Sequence, residues 1–354
     1  MDIKRLSKFK KSDLMGKLVF VRADFDIALT DSLEIENTFR IDRVVPTIKY
    51  LLENGASLVL ATKLGRPEEK KISTACLVAH LEKVVGKKIL FLDGYPESTV
   101  FKKIKTFTPG TVGLFENVRF YPQEGSSFTS GQVGEAADLA KEVEGTFDLF
   151  VNEAFAMCHR DEFSVTGVAK VLPALAGLNL EREIDVLSGV MENPKHPLTL
   201  VVGGVKAESK PKVVGNFIDK ADAILVGGRL MFSEEFTPFK GRDNLHLGEL
   251  TDDGLDINSQ TTAKFKDIIA QSATIIWAGP MGKFEDVKSE LGTREVLLAI
   301  TQSAAYKVAG GGDTISALEK FSDLGKFDFV STGGGAMLDF LSGKELPGIK
   351  VLLV

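Results

Sequence analysis

Short apolar runs that end in glycine recur in the carboxyl-terminal half of the chain. They are V-V-G-G-V-K from residue 201, L-V-G-G-R from residue 225, I-W-A-G-P-M-G from residue 276, V-A-G-G-G-D-T from residue 308 and V-S-T-G-G-G from residue 330. Each run predicts a buried strand. Beyond the glycines at 310–312, a helix is predicted from the spacing of Ile315, Ala317, Leu318 and Phe321.

The amino-terminal half shows the same alternation of strand and helix patterns. Strands are predicted at residues 18–25, 57–62, 89–92, 112–115 and 148–151. Residues 40–52 predict a helix from the spacing of Ile41, Val44, Val45, Ile48, Leu51 and Leu52, with Gly55 as its stop. This alternation predicts an α/β fold with parallel sheets and right-handed crossovers.

The pattern changes between residues 168 and 197, which makes this stretch the predicted domain boundary. A connecting helix is predicted at residues 179–193, and N-P-K-H-P ends it. We therefore predict one domain at residues 1–178 and a second at residues 194–338. Residues 232–259 are polar and weakly patterned, and they predict a loop.

Composition narrows the function classes. A chain of 354 residues is long for one core and fits two domains. Its 43 basic and 49 acidic residues give a net charge of -6, so the overall charge does not favour nucleic acid. Cys76 and Cys158 match no disulfide or metal pattern, and no apolar signal core or membrane-spanning run is present. We expect a soluble cytoplasmic protein.

The glycine loop at residues 310–312 predicts an anion site. Glycine lets the main chain approach a ligand closely, and a helix start offers unpaired N–H groups and partial positive charge. Asp313 or Thr314 is the predicted helix cap. An ordinary turn is the alternative for one such loop, but parallel strands end at one edge of a sheet, so five glycine-ended strands predict a phosphate-sized floor.

Basic residues follow the predicted strands of the amino-terminal half. They are Arg40, Lys63, Arg66, Arg119 and Arg160. Two acidic residues, Asp24 and Asp26, lie near the same strand ends. Each alone is typical of a solvated surface, but together they predict a site for a small anion. Cations in one half and glycine loops in the other fit phosphoryl transfer between a small acid and a nucleotide. A carboxylate acceptor is already ionised at neutral pH and needs no general base.

The chain closely resembles the phosphoglycerate kinase family. The matching stretches run in family order through both halves: R-A-D-F-D, R-I-D-R-V-V-P-T-I-K-Y-L-L-E-N-G-A, L-G-R-P, E-N-V-R-F-Y-P, V-N-E-A-F-A-M-C-H-R, G-G-V-K-A-E-S-K, W-A-G-P-M-G-K-F-E, G-G-G-D-T-I-S-A-L-E and S-T-G-G-G-A-M-L-D-F-L-S-G-K-E-L-P-G. The resemblance implies two Rossmann-like three-layer domains joined by a hinge helix. It also implies that residues 339–354 return to the amino-terminal domain.

The resemblance further implies an activity and its residues. The reaction would be reversible phosphoryl transfer between ATP and 3-phosphoglycerate, giving ADP and 1,3-bisphosphoglycerate, in glycolysis. The implied phosphoglycerate site comprises Asp24, Phe25, Asp26, Arg40, Lys63, Leu64, Gly65, Arg66, Arg119 and Arg160. The implied nucleotide site comprises Lys210, Glu285, Gly311, Gly312, Asp313 and Thr314. Glu285 would hold the ribose and Asp313 would face Mg²⁺, while Arg40 and Lys206 would stabilise the transferred group. A monomer is implied.

Several residues depart from the family pattern. Asp26 stands where asparagine is usual, and Lys63 stands in place of histidine. Ala278 replaces an asparagine, and Arg229 replaces a third glycine. The segment after Phe232, which in the family normally helps to wall the nucleotide base, is shorter than in most relatives. One hypothesis is that Lys63 and Asp26 form a compensating ion pair; neutral drift is the alternative.

Two other functions compete with an active kinase. The departures favour a catalytically weak nucleotide-binding protein on the same scaffold. A nicotinamide dehydrogenase has little support, because no strand is followed by G-x-G-x-x-G with an acid about twenty residues later. The chain also has no G-x-x-x-x-G-K-[ST] motif of a P-loop enzyme.

Overall fold

A computed structural model describes residues 1–65, 71–94, 97–125, 135–204 and 210–354. The chain divides into two compact units. The first comprises Met1–Ile184 with Leu346–Val354, and the second comprises Asp185–Glu345. The chain thus returns to the first unit at Leu346, and residues 339–345 belong to the second unit.

Each unit is built on a parallel sheet, which confirms the predicted α/β fold. The first sheet has the order β3-β4-β2-β1-β5-β6 and the second has the order β12-β11-β10-β7-β8-β9. The strands are β1 (Leu18–Arg22), β2 (Ser57–Ala61), β3 (Ile89–Leu92), β4 (Val112–Phe115), β5 (Leu149–Asn152), β6 (Ala174–Ala176), β7 (Leu198–Val202), β8 (Ala223–Val226), β9 (Leu245–Leu247), β10 (Thr274–Ala278), β11 (Tyr306–Gly310) and β12 (Phe329–Ser331).

Helices connect these strands. In the described ranges the α-helices are α1 (Lys11–Leu14), α2 (Phe39–Glu53), α3 (Val78–Val85), α4 (Ser98–Ile104), α5 (Glu135–Glu144), α6 (Val168–Val171), α7 (Leu178–Glu192), α8 (Lys210–Phe217), α9 (Ser259–Ala270), α10 (Leu291–Gln302), α11 (Gly312–Phe321), α12 (Gly334–Leu341) and α13 (Pro347–Lys350). None of the helices in these ranges is long and apolar enough to cross a membrane.

The central strands of the first sheet are buried on both faces. Val19 and Val21 of β1 belong to the same core cluster as Ile41 and Ile48 of α2. Phe20, between them, faces the opposite way and packs in an aromatic group whose ring centroids lie 5.2 to 5.9 Å from it, made of Phe115, Phe147 and Phe150. Burial on both faces explains why these strands are continuous apolar runs.

Two short strands were not predicted. Residues 232–259 are not a plain loop, because β9 pairs in parallel with β8 and extends the second sheet. β9 has only three residues, none of them fully buried, and its central residue is His246. β6 is equally short and pairs with β5 inside the predicted boundary stretch. Three residues are too short to show a period, and β12, which is equally short, was predicted only because it lies in a glycine-ended apolar run.

The amino terminus of α7 is fixed by two buried side chains of the first unit. The Glu153 carboxylate, which follows β5, accepts hydrogen bonds from the N–H groups of Asn179 and Leu180 at 2.9 and 3.0 Å. The Thr47 hydroxyl donates to the same carboxylate at 2.6 Å and accepts from the Leu178 N–H at 2.9 Å. Three N–H groups that a helix start leaves unpaired are thereby satisfied.

The carboxyl-terminal residues pack within the first unit. Ile3 forms an antiparallel bridge with Leu353, and the Gly348 N–H donates to the Cys158 carbonyl at 2.9 Å. Leu352 is fully buried. The apolar tail therefore completes the packing of the unit that contains the first residues of the chain.

Glu153→Gln tests the buried carboxyl at α7. Burial raises the pKa of Glu153 from 4.5 to about 8. A raised pKa in the folded state stabilises the fold below pH 4.5, and this contribution is lost as the pH rises through about 8. We expect the variant to lose less stability than the wild type between pH 6 and 9 in urea unfolding. It should be about 1 kcal/mol less stable at pH 6, because an amide nitrogen cannot accept from the Leu180 N–H.

Glu144→Gln is the matched control, because Glu144 is an exposed residue of α5. It should keep the pH dependence of the wild type. An equal loss of stability with pH in Glu153→Gln and in the wild type would contradict the prediction.

Candidate functional site: two ligand surfaces at strand ends

The predicted cationic residues of the first unit follow four adjacent strands. The sheet order places β4, β2, β1 and β5 side by side. Arg119 follows β4, Lys63 follows β2, Asp24 and Asp26 follow β1, and Arg160 follows β5. Parallel strands end at the same edge, so the sheet brings these residues together. Arg66, also predicted, lies outside the described residues.

Asp24, Asp26 and Arg40 form a connected group at this edge. An Arg40 guanidinium nitrogen lies 3.4 Å from Asp24 Oδ1 and donates to the Asp26 carbonyl at 2.8 Å. Asp26 Oδ1 accepts from the Gly65 N–H at 3.0 Å, which joins the loop after β1 to the loop after β2. Burial and the neighbouring Asp24 raise the pKa of Asp26, while Arg40 lowers it. Asp26 therefore anchors the backbone of Gly65.

Lys63 is committed to a buried ion cluster, so the proposed pair with Asp26 is wrong. Its ammonium pairs with the Glu162 carboxylate and lies 3.9 Å from Glu124 Oε1. Ser164 Oγ donates to Glu124 at 2.6 Å and accepts from Arg22 Nε at 2.8 Å. Burial lowers the pKa of Lys63 and raises that of Glu124, and the attraction between the two opposes both shifts. Glu162 and Glu124 thus balance the positive charge of Lys63.

Two predicted substrate residues turn their side chains into the core. Phe25 and Leu64 are buried in the cluster that also holds β1 and β2. Their backbones shape the edge instead. The Phe25 N–H donates to Thr62 Oγ1 at 3.0 Å, and Asn117 Nδ2 donates to the Leu64 carbonyl at 2.8 Å. Sequence reasoning missed Asn117, because E-N-V-R-F was interpreted through its arginine alone.

Arg119 and Arg160 remain available to a ligand at this edge. Arg160 is exposed, and Arg119 is half-buried. The Nε of Arg119 and the Oδ2 of Asp24 are buried and have no hydrogen-bond partner among the described residues. A buried donor and a buried acceptor without partners favour a polar ligand that offers both kinds of group.

The second unit contains a cavity of about 780 Å³ at the carboxyl ends of its strands. All five predicted glycine-ended strands contribute to it. Its lining includes Gly204, Lys210, Gly228, Arg229, Gly254, Leu255, Ala278, Gly279, Lys283, Glu285, Gly310, Gly311, Gly312, Asp313, Thr314, Gly334 and Leu338. Every described residue of the predicted nucleotide site therefore lines one cavity, whereas Lys206 lies outside the described residues.

The start of α11 differs from the prediction in one respect. The helix begins without a side-chain cap, and its N-cap is Gly311 at φ +118°. Asp313 is exposed. The Thr314 hydroxyl is buried and accepts from the Gly279 N–H at 2.8 Å, which ties the β10 loop to α11. Neither residue caps the helix, so the first N–H groups of α11 suit an anion.

Lys210 begins α8 and reaches across the glycine loops. Its ammonium donates to the Gly203 carbonyl. A Cβ at Gly204 or Gly279 would lie 2.9 or 2.7 Å from that ammonium. Glycine at these positions leaves room for a cation on the floor of the cavity.

The shortened segment supplies a wall of the cavity. Gly254 and Leu255 line it, and the Leu255 carbonyl accepts from the Lys283 N–H at 2.8 Å. The adjoining residue, Asp256, ties this segment to the start of α10. Its carboxylate accepts hydrogen bonds from the Gly292 N–H at 2.7 Å and from the Ile257 N–H at 2.8 Å. The family resemblance implied a wall from this segment, but residues 250–257 lack an apolar period that would identify Gly254 and Leu255 as its members.

Comparisons with known proteins identify the fold and the family. The family described as "Phosphoglycerate kinase" matches residues 9–243 and 239–344. The chain belongs to the phosphoglycerate kinase family. The predicted family is therefore confirmed.

Curated relatives match nearly the whole chain. The phosphoglycerate kinase of Prochlorococcus marinus (strain MIT 9515) is 33% identical, and the alignment covers 98% of both chains. Phosphoglycerate kinase 2, chloroplastic, of Arabidopsis thaliana is 34% identical over 99% of this chain and 82% of that protein.

Solved structures of the family match equally well. The crystal structure of phosphoglycerate kinase from Pyrococcus horikoshii OT3 has a TM-score of 0.84 at 28% identity, covering 99% of this chain and 98% of that one. The enzyme from Coxiella burnetii has a TM-score of 0.82 at 32% identity with the same coverage. The fold of the family therefore extends over both units.

Asp26→Asn tests the carboxylate at the edge of the first sheet. Because its pKa is raised, Asp26 stabilises the fold only when protonated, and this contribution is lost as the pH rises through its folded-state pKa. Asparagine keeps an acceptor for the Gly65 N–H. We expect a gain of about 1 kcal/mol in the free energy of unfolding at pH 7.5, with a smaller gain at pH 4.5. Binding of 3-phosphoglycerate should tighten several-fold.

The control is Asp31→Asn, at an exposed position of the same unit. It should change neither quantity. Lower stability of Asp26→Asn than of the wild type at pH 7.5 would refute the prediction.

Lys63→His tests the buried ion cluster. At pH 8 a neutral imidazole would leave Glu124 and Glu162 without their lysine partner, and we expect a loss of about 3 kcal/mol in urea unfolding. Lys17→His is the control, because Lys17 pairs with Asp148 on the surface at 3.3 Å. Its cost should stay below about 1 kcal/mol. Unchanged stability together with tighter phosphoglycerate binding in Lys63→His would contradict this prediction and would indicate that Lys63 belongs to the ligand surface.

Proposed function

We propose that this chain catalyses the reaction of its family, the reversible transfer of a phosphoryl group between ATP and 3-phosphoglycerate. The relatives carry the name of this activity over 98% or more of the chain. The observation that most directly supports it is the glycine-lined cavity with the uncapped start of α11 at one side. Such a surface suits the phosphates of a nucleotide.

In the proposed reaction, a carboxylate oxygen of 3-phosphoglycerate attacks the γ-phosphorus of ATP. A new O–P bond forms, the bond to the β-phosphate bridging oxygen breaks, and ADP leaves. The acceptor is ionised at neutral pH, so no proton must be removed. Catalysis then requires position and positive charge. We assign these roles to Arg40 in the first unit and, from the sequence resemblance, to Lys206.

The phosphoglycerate is proposed to lie at the edge formed by the loops after β4, β2, β1 and β5. Arg119 and Arg160 would bind its anionic groups, because the guanidinium fork suits phosphate and carboxylate. Asp24, with its unpartnered Oδ2, would accept from the ligand hydroxyl. Arg66 is assigned to this surface by resemblance alone. Phosphoglycerate and nucleotide must come into contact for the transfer. We therefore include a hinge motion between the two units in the proposal.

The nucleotide is proposed to lie in the cavity of the second unit. Its phosphates would contact the first N–H groups of α11 and Lys210, and Glu285 would bind the ribose. Asp313 is an exposed carboxylate on the lining, with no ion pair to a described residue, and its oxygens fit Mg²⁺. When bound, Mg²⁺ would offset the negative charge that builds on the phosphates. We also propose a cytoplasmic monomer that needs no nucleic acid or membrane.

The test is ADP formation from MgATP with and without 3-phosphoglycerate. We expect phosphoglycerate-dependent turnover in the wild type and a loss on the order of a thousandfold in Arg40→Ala and in Lys206→Ala. Lys49→Ala, at an exposed position of α2, should keep full turnover. Nucleotide binding without turnover in the wild type would identify a binding protein instead, with Asp26 and Ala278 as the first positions to revert.

A further inference from the structure

An arginine on the lining of the nucleotide cavity has no role in the site described so far. Arg229 is exposed and lines the cavity. No described residue forms an ion pair or hydrogen bond with its guanidinium. This arginine is also a departure from the family pattern, which has glycine at the position.

The backbone of Arg229 is held in place although its side chain is not. The Leu230 N–H donates to the Gly204 carbonyl at 3.0 Å, and Leu230 and Met231 are buried. Gly228 has φ +62°, and a Cβ there would lie 2.9 Å from the Gly204 nitrogen. The loops after β7 and β8 are therefore in direct contact, and the guanidinium starts from a fixed point at the cavity edge.

The sheet order sets the distance between Arg229 and the proposed phosphate site. Arg229 follows β8, whereas the start of α11 follows β11, and β10 and β7 lie between these strands. Three inter-strand spacings amount to roughly 14 Å. One cavity is lined by both loops, so a nucleotide whose phosphates lie at α11 and whose base follows the lining across β10 and β7 would bring the base to Arg229.

The cavity near Arg229 suits a planar ring. Gly204 and Gly228 line the cavity without side chains of their own, and the Lys210 ammonium lies beside Gly204. Leu255 adds an apolar side chain to the cavity lining. Arg229 is the charged residue that the loop after β8 brings to the cavity lining. Its planar fork can donate two parallel hydrogen bonds.

We propose that Arg229 selects the base of the nucleotide and favours a purine that presents two acceptors, O6 and N7, as guanine and hypoxanthine do. Adenine has an amino donor in place of O6, so the fork would meet one acceptor and one donor. A bidentate arginine contact discriminates by roughly ten- to a hundredfold between such bases. This inference rests on the proposed nucleotide site and extends it.

The experiment is calorimetric titration of the full chain with GDP, IDP and ADP. We expect GDP and IDP to bind at least about tenfold more tightly than ADP. With 7-deaza-GDP, which lacks the N7 acceptor, affinity should fall towards that of ADP. Arg229→Lys keeps the charge without the fork, and Arg229→Gly restores the family residue; both should remove the preference. Lys240→Gly, which removes an exposed cation outside the cavity lining, should preserve it.

Three results would overturn the inference. Equal affinity for GDP and ADP in the wild type would show that the base is not selected. Equal weakening of all three nucleotides in Arg229→Gly and Arg229→Lys would place the guanidinium on a phosphate or a ring face. Equal tightening in Arg229→Gly would show that the side chain obstructs the cavity. Each can occur while phosphoglycerate-dependent turnover persists, whereas no binding of any nucleotide would overturn the proposed function as well.

Discussion

Parallel pairing makes every strand of a sheet end at the same edge, and both candidate ligand surfaces depend on this constraint. Residues as far apart in sequence as Asp24 and Arg160 follow strands that are neighbours in the first sheet. In the second sheet, glycine loops from five strands meet around one cavity. Each unit therefore gathers its chemistry from short loops, while the strands behind them form the core.

The two edges handle charge in different ways. The second unit combines the N–H groups of an uncapped helix start and of glycine loops with the Lys210 ammonium, which the Gly203 carbonyl holds. The first unit uses side chains, and their charge must be held in place. Arg40 contacts both Asp24 and the Asp26 carbonyl, which limits its freedom before a ligand arrives. Such preorganisation lowers the entropy lost on binding.

The sequence predicted the features that leave a local pattern. The glycine-ended strands, helix α2 and helix α7 are long or strongly apolar, and their positions agree with the patterns. β9 has three residues and left no such signal. The partners of Lys63 were hidden because Glu124 and Glu162 lie 61 and 99 residues further along the chain. The direction of the Thr314 hydroxyl depends on the β10 loop, which no local pattern of α11 encodes.

The buried cluster around Lys63 changes how the first surface must obtain its positive charge. Arg22 and Lys63 face Glu124 and Glu162, so two formal cations are balanced by two formal anions, and the cluster adds little field at the edge. Among the described residues at this edge, the cations outside this cluster are Arg40, Arg119 and Arg160. Of these, Arg40 already shares its charge with Asp24. Burial and the neighbouring Asp24 raise the pKa of Asp26. Because Lys63 pairs with Glu162 and Glu124 instead of Asp26, the departures at Lys63 and Asp26 are separate changes in the charge of this edge.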